Sequence, residues 1–268
     1  MRSEKVMALP EGAPPIRTQP AECDKHGSFD QKVTVLLGRE LKGGCPECMR
    51  AIAEEREASD KANKAYELRI ALARKLGDAL IPKRFLTRTL DNYQVEHDQQ
   101  RKALRFCRHY VATFDQIREV GRCMVLIGKP GTGKTHLGVA IANELLHKTS
   151  RSAVYRTVGA VLQAIRGTYD RHSERTEGDI LASLINPDLL VLDEIGVSKE
   201  QPSDFELTTL FAIINGRYER EAPTVIISNL EANDLGRAMG DRCVDRLREG
   251  GLIVVPFDWE SQRGKEGF

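Results

Sequence analysis

Short apolar runs alternate with amphipathic segments over the second half of the chain. The apolar runs predict five buried strands, at residues 123–128, 152–157, 187–196, 224–229 and 252–257. Helices are predicted between them, over residues 134–148, 159–170, 177–185 and 203–221, the last capped by Ser203 or Asp204. Buried strands that alternate with helices favour a parallel sheet. We therefore predict an α/β fold with helices on both faces of the sheet.

The first hundred residues show a different pattern. Residues 1–20 are rich in proline and polar side chains, which predicts a disordered N-terminus. Residues 49–78 are rich in Ala, Glu, Lys, Arg and Leu and lack proline, which predicts a long helix. The expected domains are a disordered segment over 1–20, a cysteine-containing module with its helix over 21–78, a linker over 79–97 and the α/β domain over 98–268.

Composition narrows the functional classes. Hydrophobic residues make up 41% of the 268 residues, enough for a core, and 40 basic residues nearly balance 39 acidic ones. A nucleic-acid contact would therefore need a local basic patch rather than a high overall charge. Residues 1–20 contain no apolar stretch typical of a signal peptide, and no apolar run reaches the ~20 residues of a membrane span. We expect a soluble, cytoplasmic protein.

A glycine-rich loop joins the first predicted strand to the helix after it. Gly128, Gly133, Lys134 and Thr135 satisfy the pattern G-x-x-x-x-G-K-[ST]. Glycines permit the conformations in which consecutive N–H groups point at phosphate oxygens, and the helix N-terminus adds positive potential. The lysine reaches the β- and γ-phosphates of ATP, and the threonine hydroxyl is a ligand of Mg²⁺. The predicted ATP-binding residues here are Gly128, Pro130, Gly131, Thr132, Gly133, Lys134, Thr135 and His136.

Acidic and amide side chains end the later strands. Asp193 is placed to hold Mg²⁺ together with Thr135, and Glu194 to activate water as a general base. Because parallel strands share one carboxyl edge, we expect Asn229 near the γ-phosphate, where it could orient water. These residues and Lys134 predict ATP hydrolysis. The alternative for Asp193 and Glu194 is an acidic pair that caps a strand end without a catalytic role. The alternative for Asn229 is a polar turn residue.

Cysteine and histidine cluster near the N-terminus. Cys23, His26, Cys45 and Cys48 form the pattern C-x₂-H-x₁₈-C-x₂-C. Two such pairs make a closed tetrahedral Zn²⁺ site, which would be structural because no coordination position stays open. So short a segment lacks a core of its own, and the metal would supply the missing stability. A redox C-x-x-C would need a βαβ context, and a disulfide conflicts with the expected compartment.

The nucleotide motifs resemble those of the AAA+ ATPases, with Walker A at 128–135, Walker B at 189–194 and sensor 1 at Asn229. The segment "GDRCVDRLREGGLIVVPFDWESQR", residues 240–263, resembles the C-terminal part of the DnaC/IstB branch, and the resemblance covers about residues 80–263. It implies the AAA+ fold and an arginine finger that enters a neighbouring subunit's ATP site. Arg242 and Arg246 are the candidates, and we favour Arg246. The resemblance also implies that Arg263 contacts the nucleotide.

Loaders in this branch include proteins with an N-terminal zinc module. The resemblance therefore implies an ATP-dependent loader of the replicative hexameric helicase onto single-stranded DNA. It also implies subunits that assemble side by side with ATP and a zinc module that binds the helicase. Two helices are predicted before Walker B, where loaders insert a DNA-binding helix. Arg166 and Tyr169 are the predicted DNA contacts, with an ordinary amphipathic helix as the alternative.

Other functions remain open on the sequence. An IstB-type helper of a DNA transposase shares the ATPase but, as a rule, lacks the zinc module. An initiator that reads double-stranded DNA would need a helix-turn-helix after residue 257, where too few residues follow. A binding protein without hydrolysis is disfavoured by Lys134, Asp193 and Glu194. Residues 81–85 and Tyr93 lead into the ATPase core and are candidates for enclosing the nucleotide base.

Overall fold

The computed structural model describes residues 16–36, 38–197 and 201–262. The chain divides into two compact units, Met1–Ile70 and Ala71–Phe268, and each is described by itself. The boundary falls within a long helix rather than at residue 78, where the sequence places the end of the first domain.

A three-stranded antiparallel sheet opens the first unit. Its strands are β1 (Ile16–Cys23), β2 (Gly27–Leu36) and β3 (Arg39–Lys42), with β2 in the centre. The prediction of disorder over 1–20 is wrong for residues 16–20, which pair with residues 30–34. Backbone pairing holds this strand in place although its sequence has few apolar positions. Residues 1–15 lie outside the described residues.

Helix α1 (Pro46–Asp78) confirms the predicted long helix and begins three residues earlier than expected. Proline is favourable at a first helical position because its fixed φ suits the helix and its missing N–H would have no partner there. The helix has 33 residues, none of them buried. Its charged composition matches a largely solvated surface, although Leu76 near its C-terminal end packs against the core of the second unit.

The second unit contains a five-stranded parallel sheet in the order β5-β6-β7-β4-β8. Its strands are β4 (Cys123–Gly128), β5 (Ala153–Thr157), β6 (Leu189–Ile195), β7 (Thr224–Ser228) and β8 (Leu252–Phe257). Its helices are α2 (Asp98–Ala112), α3 (Phe114–Glu119), α4 (Lys134–Lys148), α5 (Val158–Gly167), α6 (Glu177–Ile185), α7 (Asp204–Tyr218), α8 (Leu235–Met239) and α9 (Asp241–Glu249), with short 3₁₀ helices at Lys83–Phe85 and Ala232–Asp234. The five predicted strands are confirmed.

Two hydrophobic cores lie on opposite faces of this sheet. Met124 and Leu126 face one core, which includes residues of α2 and α4, whereas Val125 and Ile127 face the other, with residues of α5, α6, α7 and α9. Because successive side chains of a strand point to opposite faces, a fully apolar strand must be covered on both. The predicted architecture, a parallel sheet with helices on both faces, is therefore confirmed.

The segment 79–97 is part of the folded core rather than a free linker. Ala79, Ile81 and Leu90 are buried in the first of these cores, and Phe85 packs against it. The side-chain amide of Asn143 on α4 donates hydrogen bonds to the carbonyls of Phe85, Leu86 and Arg88. Residues of this segment therefore pack together with the helices that follow it.

Cys107, Cys123 and Cys243 are buried free thiols, as their apolar neighbours predict. Among the described residues, no helix is both long enough and apolar enough to cross a bilayer.

Candidate functional site: a phosphate-binding loop and a cysteine-histidine cluster

The glycine-rich loop connects the end of β4 to the start of α4. Gly128 has φ 124° and Gly133 has φ 95°, both in the region that side chains with a Cβ rarely adopt. A Cβ on Gly128 would stand 2.4 Å from the carbonyl oxygen of Phe257, so glycine is required there for packing as well. The Lys134 ammonium donates to the carbonyl oxygens of Gly128 and Lys129, at 2.7 and 2.6 Å. The lysine thus lies across the loop that would hold the phosphates.

Asp193 is buried at the end of β6, directly opposite the first turn of α4. The Thr135 hydroxyl donates to Asp193 Oδ2 at 2.9 Å, and the Glu194 backbone N–H donates to Asp193 Oδ1 at 2.7 Å. Hydroxyl and carboxylate oxygens are the hard ligands that Mg²⁺ prefers. The oxygens of Thr135 and Asp193 are therefore placed where they would hold a magnesium ion.

Glu194 has an unusual backbone conformation. Its φ is +65°, and the pairing of β6 with β7 shifts register between Leu192 and Ile195. For a residue with a Cβ, such a conformation costs roughly 1–3 kcal/mol and is typical of functional sites. The exposed Glu194 side chain lines the same cleft as Lys134. The residue predicted to act as the general base therefore has a strained backbone.

Asn229 follows β7 and also lines this cleft. The neighbouring Ser228 hydroxyl donates to the Ile195 carbonyl at 2.7 Å, which ties the ends of β6 and β7 together. The shared carboxyl edge expected from the sequence therefore exists. The cleft has a volume of about 700 Å³. Its lining includes the following predicted residues: Pro130, Gly131, Thr132, Gly133, Lys134, Thr135, His136, Asp193, Glu194 and Asn229.

The segment before α2 supplies cationic and aromatic side chains to the cleft. Arg84, Phe85, Arg88 and Tyr93 line it. Their position at the cleft is compatible with the predicted role of residues 81–85 and Tyr93, which is to enclose the base of a bound nucleotide. Arg84 also lies over the ring of Phe85, 4.5 Å from its centroid.

Two segments distant in sequence, at Tyr93 and at residues 259–262, form hydrogen bonds to carbonyl groups of the glycine loop. The Thr132 carbonyl accepts hydrogen bonds from Tyr93 Oη at 3.3 Å and from the Trp259 indole N–H at 3.0 Å. The Gln262 backbone N–H donates to the Gly131 carbonyl at 2.8 Å. The carbonyl groups of Gly131 and Thr132 are thereby paired with these segments. The sequence motif gives no sign of these supports, because they come from other segments.

His136 is a half-buried part of the same support. Its Nε2 lies 3.0 Å from the Thr89 carbonyl, and its ring meets Tyr93 edge-on at 5.2 Å. Burial lowers the pKa of the His136 imidazole. A neutral ring with N–H on Nε2 donates to the Thr89 carbonyl, so His136 stabilises the approach of residue 89 to the loop.

Tyr155 on β5 is a cleft residue that the sequence motifs do not reveal. Its hydroxyl donates to Asp193 Oδ2 at 2.9 Å, and only 5% of the residue is exposed. Burial first, and the negative charge of Asp193 second, raise the pKa of the Tyr155 hydroxyl. It therefore stays protonated and acts as a donor. The alternation of strand residues places Tyr155 on the same face as Asp193 once the register of β5 against β6 is known.

Arg246 lies far from the cleft of its own chain. It lines a cavity of about 390 Å³ together with Cys123 and Thr224, the first residues of β4 and β7. Its guanidinium lies over the Tyr218 ring, 4.4 Å from the centroid, and within 3.4 Å of Glu249. The six residues of β4 span roughly 20 Å at ~3.3 Å each and separate this edge from the glycine loop. Arg246 therefore cannot serve its own site.

The other predicted arginines differ in their surroundings. Arg242 lies in the first turn of α9 and is exposed, and Arg263 lies outside the described residues. Arg166 on α5 lies 5.2 Å from the centroid of Phe205, and the exposed Tyr169 donates to Glu177 at 3.1 Å. Both predicted DNA contacts thus have partners within the chain, and Tyr169 remains largely open to solvent.

The four predicted zinc ligands come together in the first unit. His26 Nδ1 lies 3.7, 3.6 and 3.2 Å from the sulfurs of Cys23, Cys45 and Cys48, and the Cys23 and Cys48 sulfurs are 3.6 Å apart. All four ligand atoms lie within 4.8 Å of one another. Tetrahedral Zn²⁺ with Zn–S near ~2.3 Å requires ligand separations of about 3.5–3.8 Å. The cluster therefore fits a four-coordinate metal.

The surroundings of this cluster also suit a metal. His26 Nε2 lies 3.7 Å from a carboxylate oxygen of Glu47, an arrangement that orients metal-bound histidines. Hydrogen bonds from the backbone of Lys25 and from His26 lower the pKa of the Cys23 thiol to about 6. The hydrogen bond between Cys48 and Cys23 raises the pKa of the Cys48 thiol to about 11. Thiolates so close together repel one another unless a cation lies between them.

Comparisons with known proteins agree with this geometry. The family model for the IstB-like ATP binding protein matches residues 56–263. The replicative helicase loader DnaC of Buchnera aphidicola subsp. Acyrthosiphon pisum is 35% identical over 208 residues, which is 77% of this chain and 80% of that protein. The replicative helicase loader DnaC of Escherichia coli K12 is 38% identical over 179 residues, 66% of this chain and 69% of that protein.

A solved structure extends the similarity to three dimensions. The crystal structure of the DnaC helicase loader matches with a TM-score of 0.57 at 26% sequence identity, covering 65% of this chain and 99% of that one. The parallel sheet, the glycine loop and the acidic strand end are therefore those of an AAA+ domain. With the family match over residues 56–263, the chain belongs to the IstB-like family of ATP-binding proteins.

Proposed function

We propose that this chain is an ATPase that loads a replicative DNA helicase onto single-stranded DNA. The observation that carries the proposal is the cleft, which brings Lys134, Thr135, Asp193 and Glu194 together in a chain whose relatives are named replicative helicase loaders. A protein that only bound a partner would not need this catalytic set.

ATP binds along the glycine loop in this proposal. The N–H groups of the loop and the N-terminus of α4 bind the phosphates, and Lys134 leaves the carbonyls of Gly128 and Lys129 to contact them. Thr135 and Asp193 would hold Mg²⁺, which neutralises charge on the phosphates when bound. Arg84, Arg88 and Tyr93 enclose the rest of the nucleotide, since they line the same cleft.

Hydrolysis needs a base and an oriented water. Glu194 is exposed to the cleft and takes the proton from the attacking water, which Asn229 orients from the neighbouring strand end. Arg246 is not among the described residues that line the cleft of its own chain. We therefore assign Arg246 to the ATP site of a neighbouring copy, where it stabilises the charge that develops during phosphoryl transfer. Arg263 lies outside the described residues, and we assign it to nucleotide contact only because the sequence resemblance implies that role.

ATP then acts as a switch of assembly. Copies bind side by side, each with its Arg246 at the next cleft, and hydrolysis weakens the contact. Arg166 and Tyr169 contact single-stranded DNA by charge and stacking after leaving Phe205 and Glu177. The cluster of Cys23, His26, Cys45 and Cys48 binds Zn²⁺, and the module that it stabilises binds the helicase.

A second candidate is an ATPase helper of a DNA transposase. The family description, IstB-like ATP binding protein, favours it for residues 56–263. This candidate shares the nucleotide site and differs in the partner. A partner-binding experiment therefore separates the two proposals.

The test measures ATP hydrolysis and retention on the immobilised replicative helicase of the organism that encodes the chain. We expect ATP-dependent retention of the wild type. Lys134→Ala should lower hydrolysis about 100-fold or more. Lys148→Ala, which removes the same charge from the exposed far end of α4, where it pairs with Glu144, is the matched control and should leave the rate of hydrolysis unchanged. Wild-type protein without any hydrolysis would contradict the enzymatic proposal.

A double variant tests the metal cluster in the same experiment. Cys45→Ser/Cys48→Ser removes two of the four ligands, so we expect loss of bound zinc and of helicase retention, with hydrolysis preserved. Retention as tight as that of the wild type would show that the module does not bind the helicase. Retention of a transposase instead of the helicase would favour the second candidate.

A further inference from the structure

We propose that Tyr155 is a positioning residue that orients the Asp193 carboxylate toward the magnesium of bound ATP. The inference rests on the proposed ATP site and assigns a role to a residue outside its sequence motifs. Tyr155 is on β5, whereas Asp193 ends the neighbouring strand β6.

Three hydrogen bonds fix the Asp193 carboxylate. Oδ2 accepts from the hydroxyls of Tyr155 and Thr135, each at 2.9 Å, and Oδ1 accepts from the Glu194 backbone N–H at 2.7 Å. Thr135 would itself be a metal ligand, and Glu194 contributes only backbone. Of these three donors, the Tyr155 hydroxyl is therefore the side-chain group that contacts the carboxylate and has no other assigned task in the reaction.

Tyr155 is itself held from several sides. Its backbone N–H donates to the Ala79 carbonyl at 2.9 Å. Its ring meets the ring of Phe85 edge-on at 6.3 Å, and its strand pairs with β6 through Tyr155–Val191 and Thr157–Asp193. A side chain held in this way loses little entropy when it orients another group. The hydroxyl is thus preorganised at Asp193 before any metal arrives.

The chemistry of a phenol suits this role. A phenol hydroxyl is neutral at physiological pH, and that of Tyr155 donates to Asp193 Oδ2 at 2.9 Å. A neutral donor fixes the carboxylate without adding a positive charge that would repel Mg²⁺. Partners that orient metal-binding carboxylates typically change metal affinity by about 10- to 100-fold when they are removed.

The test compares Tyr155→Phe with the wild type in the full chain. A fluorescent ATP analogue is titrated with protein at increasing Mg²⁺ and, separately, in EDTA. We expect the half-saturating Mg²⁺ concentration to rise about tenfold in Tyr155→Phe. Affinity in EDTA should stay unchanged, because the variant keeps the ring and loses only the contact with Asp193.

Tyr110→Phe is the matched control. Tyr110 is fully buried, and its hydroxyl donates to the Arg122 carbonyl at 2.9 Å, so the variant also loses one buried phenol hydrogen bond. It should leave the Mg²⁺ requirement at the wild-type value. A merely structural role of Tyr155 would instead change binding in EDTA, or give both variants the same behaviour, and either result overturns the assignment.

The two proposals fail in different ways. If the wild type binds the analogue with Mg²⁺ and Tyr155→Phe needs no more Mg²⁺, only the role of Tyr155 is overturned. If the wild type binds no ATP under any condition, the proposed nucleotide site is overturned, and the role of Tyr155 with it.

Discussion

At the scale of single residues, the site combines strain with preorganisation. Glu194 has φ +65°, while the adjacent Asp193 accepts a hydrogen bond from the Glu194 backbone N–H. Residues in such conformations persist where the surrounding structure determines them and function benefits. Here the turn directs the Glu194 side chain into the cleft rather than along β6.

Two substitutions of Glu194 separate the effect of its strained backbone on stability from the effect of its carboxylate on hydrolysis. Glu194→Gln and Glu194→Gly both remove the carboxylate, so both should lose hydrolysis. Only glycine relieves the positive φ, and we expect Glu194→Gly to exceed Glu194→Gln in unfolding free energy by about 0.5–1 kcal/mol. Urea unfolding followed by the fluorescence of Trp259, the single tryptophan, measures the difference. Equal midpoints would contradict the presence of strain.

At the scale of elements, one buried arginine joins three segments. The Arg217 guanidinium near the end of α7 donates to Thr224 Oγ1 at the start of β7, at 2.9 Å. It also donates to the carbonyls of Leu184 in the last turn of α6 and of Pro187 just after that helix, at 2.8 and 2.9 Å. It also donates to Pro223 at 2.6 Å. Burial lowers the pKa of Arg217 to about 10, so the side chain still carries its charge at neutral pH. The carbonyl groups compensate for the buried charge.

Arg217→Lys should therefore destabilise the second unit strongly. Lysine has fewer donors in a different geometry, and the carbonyls that it leaves unpaired are buried. We expect a loss of about 3–5 kcal/mol in unfolding free energy. Arg220→Lys makes the same change at an exposed position and should stay within about 0.5 kcal/mol of the wild type. Similar urea midpoints for both variants, read from Trp259, would refute the role of Arg217.

The elements also show what the sequence could predict. Strands β4 to β8 were predictable because each is a short apolar run, and α1 because its helix formers continue without proline. Strand β1, "IRTQPAEC", was missed because its alternation is weak and its pairing with β2 is not local. The role of segment 79–97 was missed for a similar reason, since Ala79 and Leu90 are buried against distant residues.

The residues of the candidate site also fall into those that the sequence could predict and those that it could not. Lys134, Thr135, Asp193 and Glu194 were predictable because each motif is contiguous and carries its own chemistry. Tyr155, by contrast, reaches Asp193 only through the register of two parallel strands, which no local pattern encodes. The supports at Trp259 and Gln262 depend on long-range packing in the same way.

At the scale of the whole molecule, the proposed function depends on contacts between copies. Arg246 lies at the amino edge of the sheet, and the cleft lies at the carboxyl edge. If Arg246 at the amino edge of one copy's sheet enters the cleft at the carboxyl edge of the next copy's sheet, the two copies contact each other head to tail. Such contacts generate rings or open helical assemblies rather than closed dimers. This geometry suits a protein that assembles around a strand of DNA.

The most direct measurement mixes two inactive variants. The Arg246→Ala variant keeps an intact glycine loop, and the Lys134→Ala variant keeps Arg246. Each variant alone should lose ATP hydrolysis, and for Arg246→Ala we expect a loss of about 10³-fold or more. If Arg246 acts on a neighbouring copy, equal mixing restores about a quarter of the wild-type rate, because random neighbours form one intact site in about four. Arg246→Ala mixed with the Lys134→Ala/Arg246→Ala variant should stay inactive. A mixture no faster than its separate components would contradict an ATP site shared between two copies.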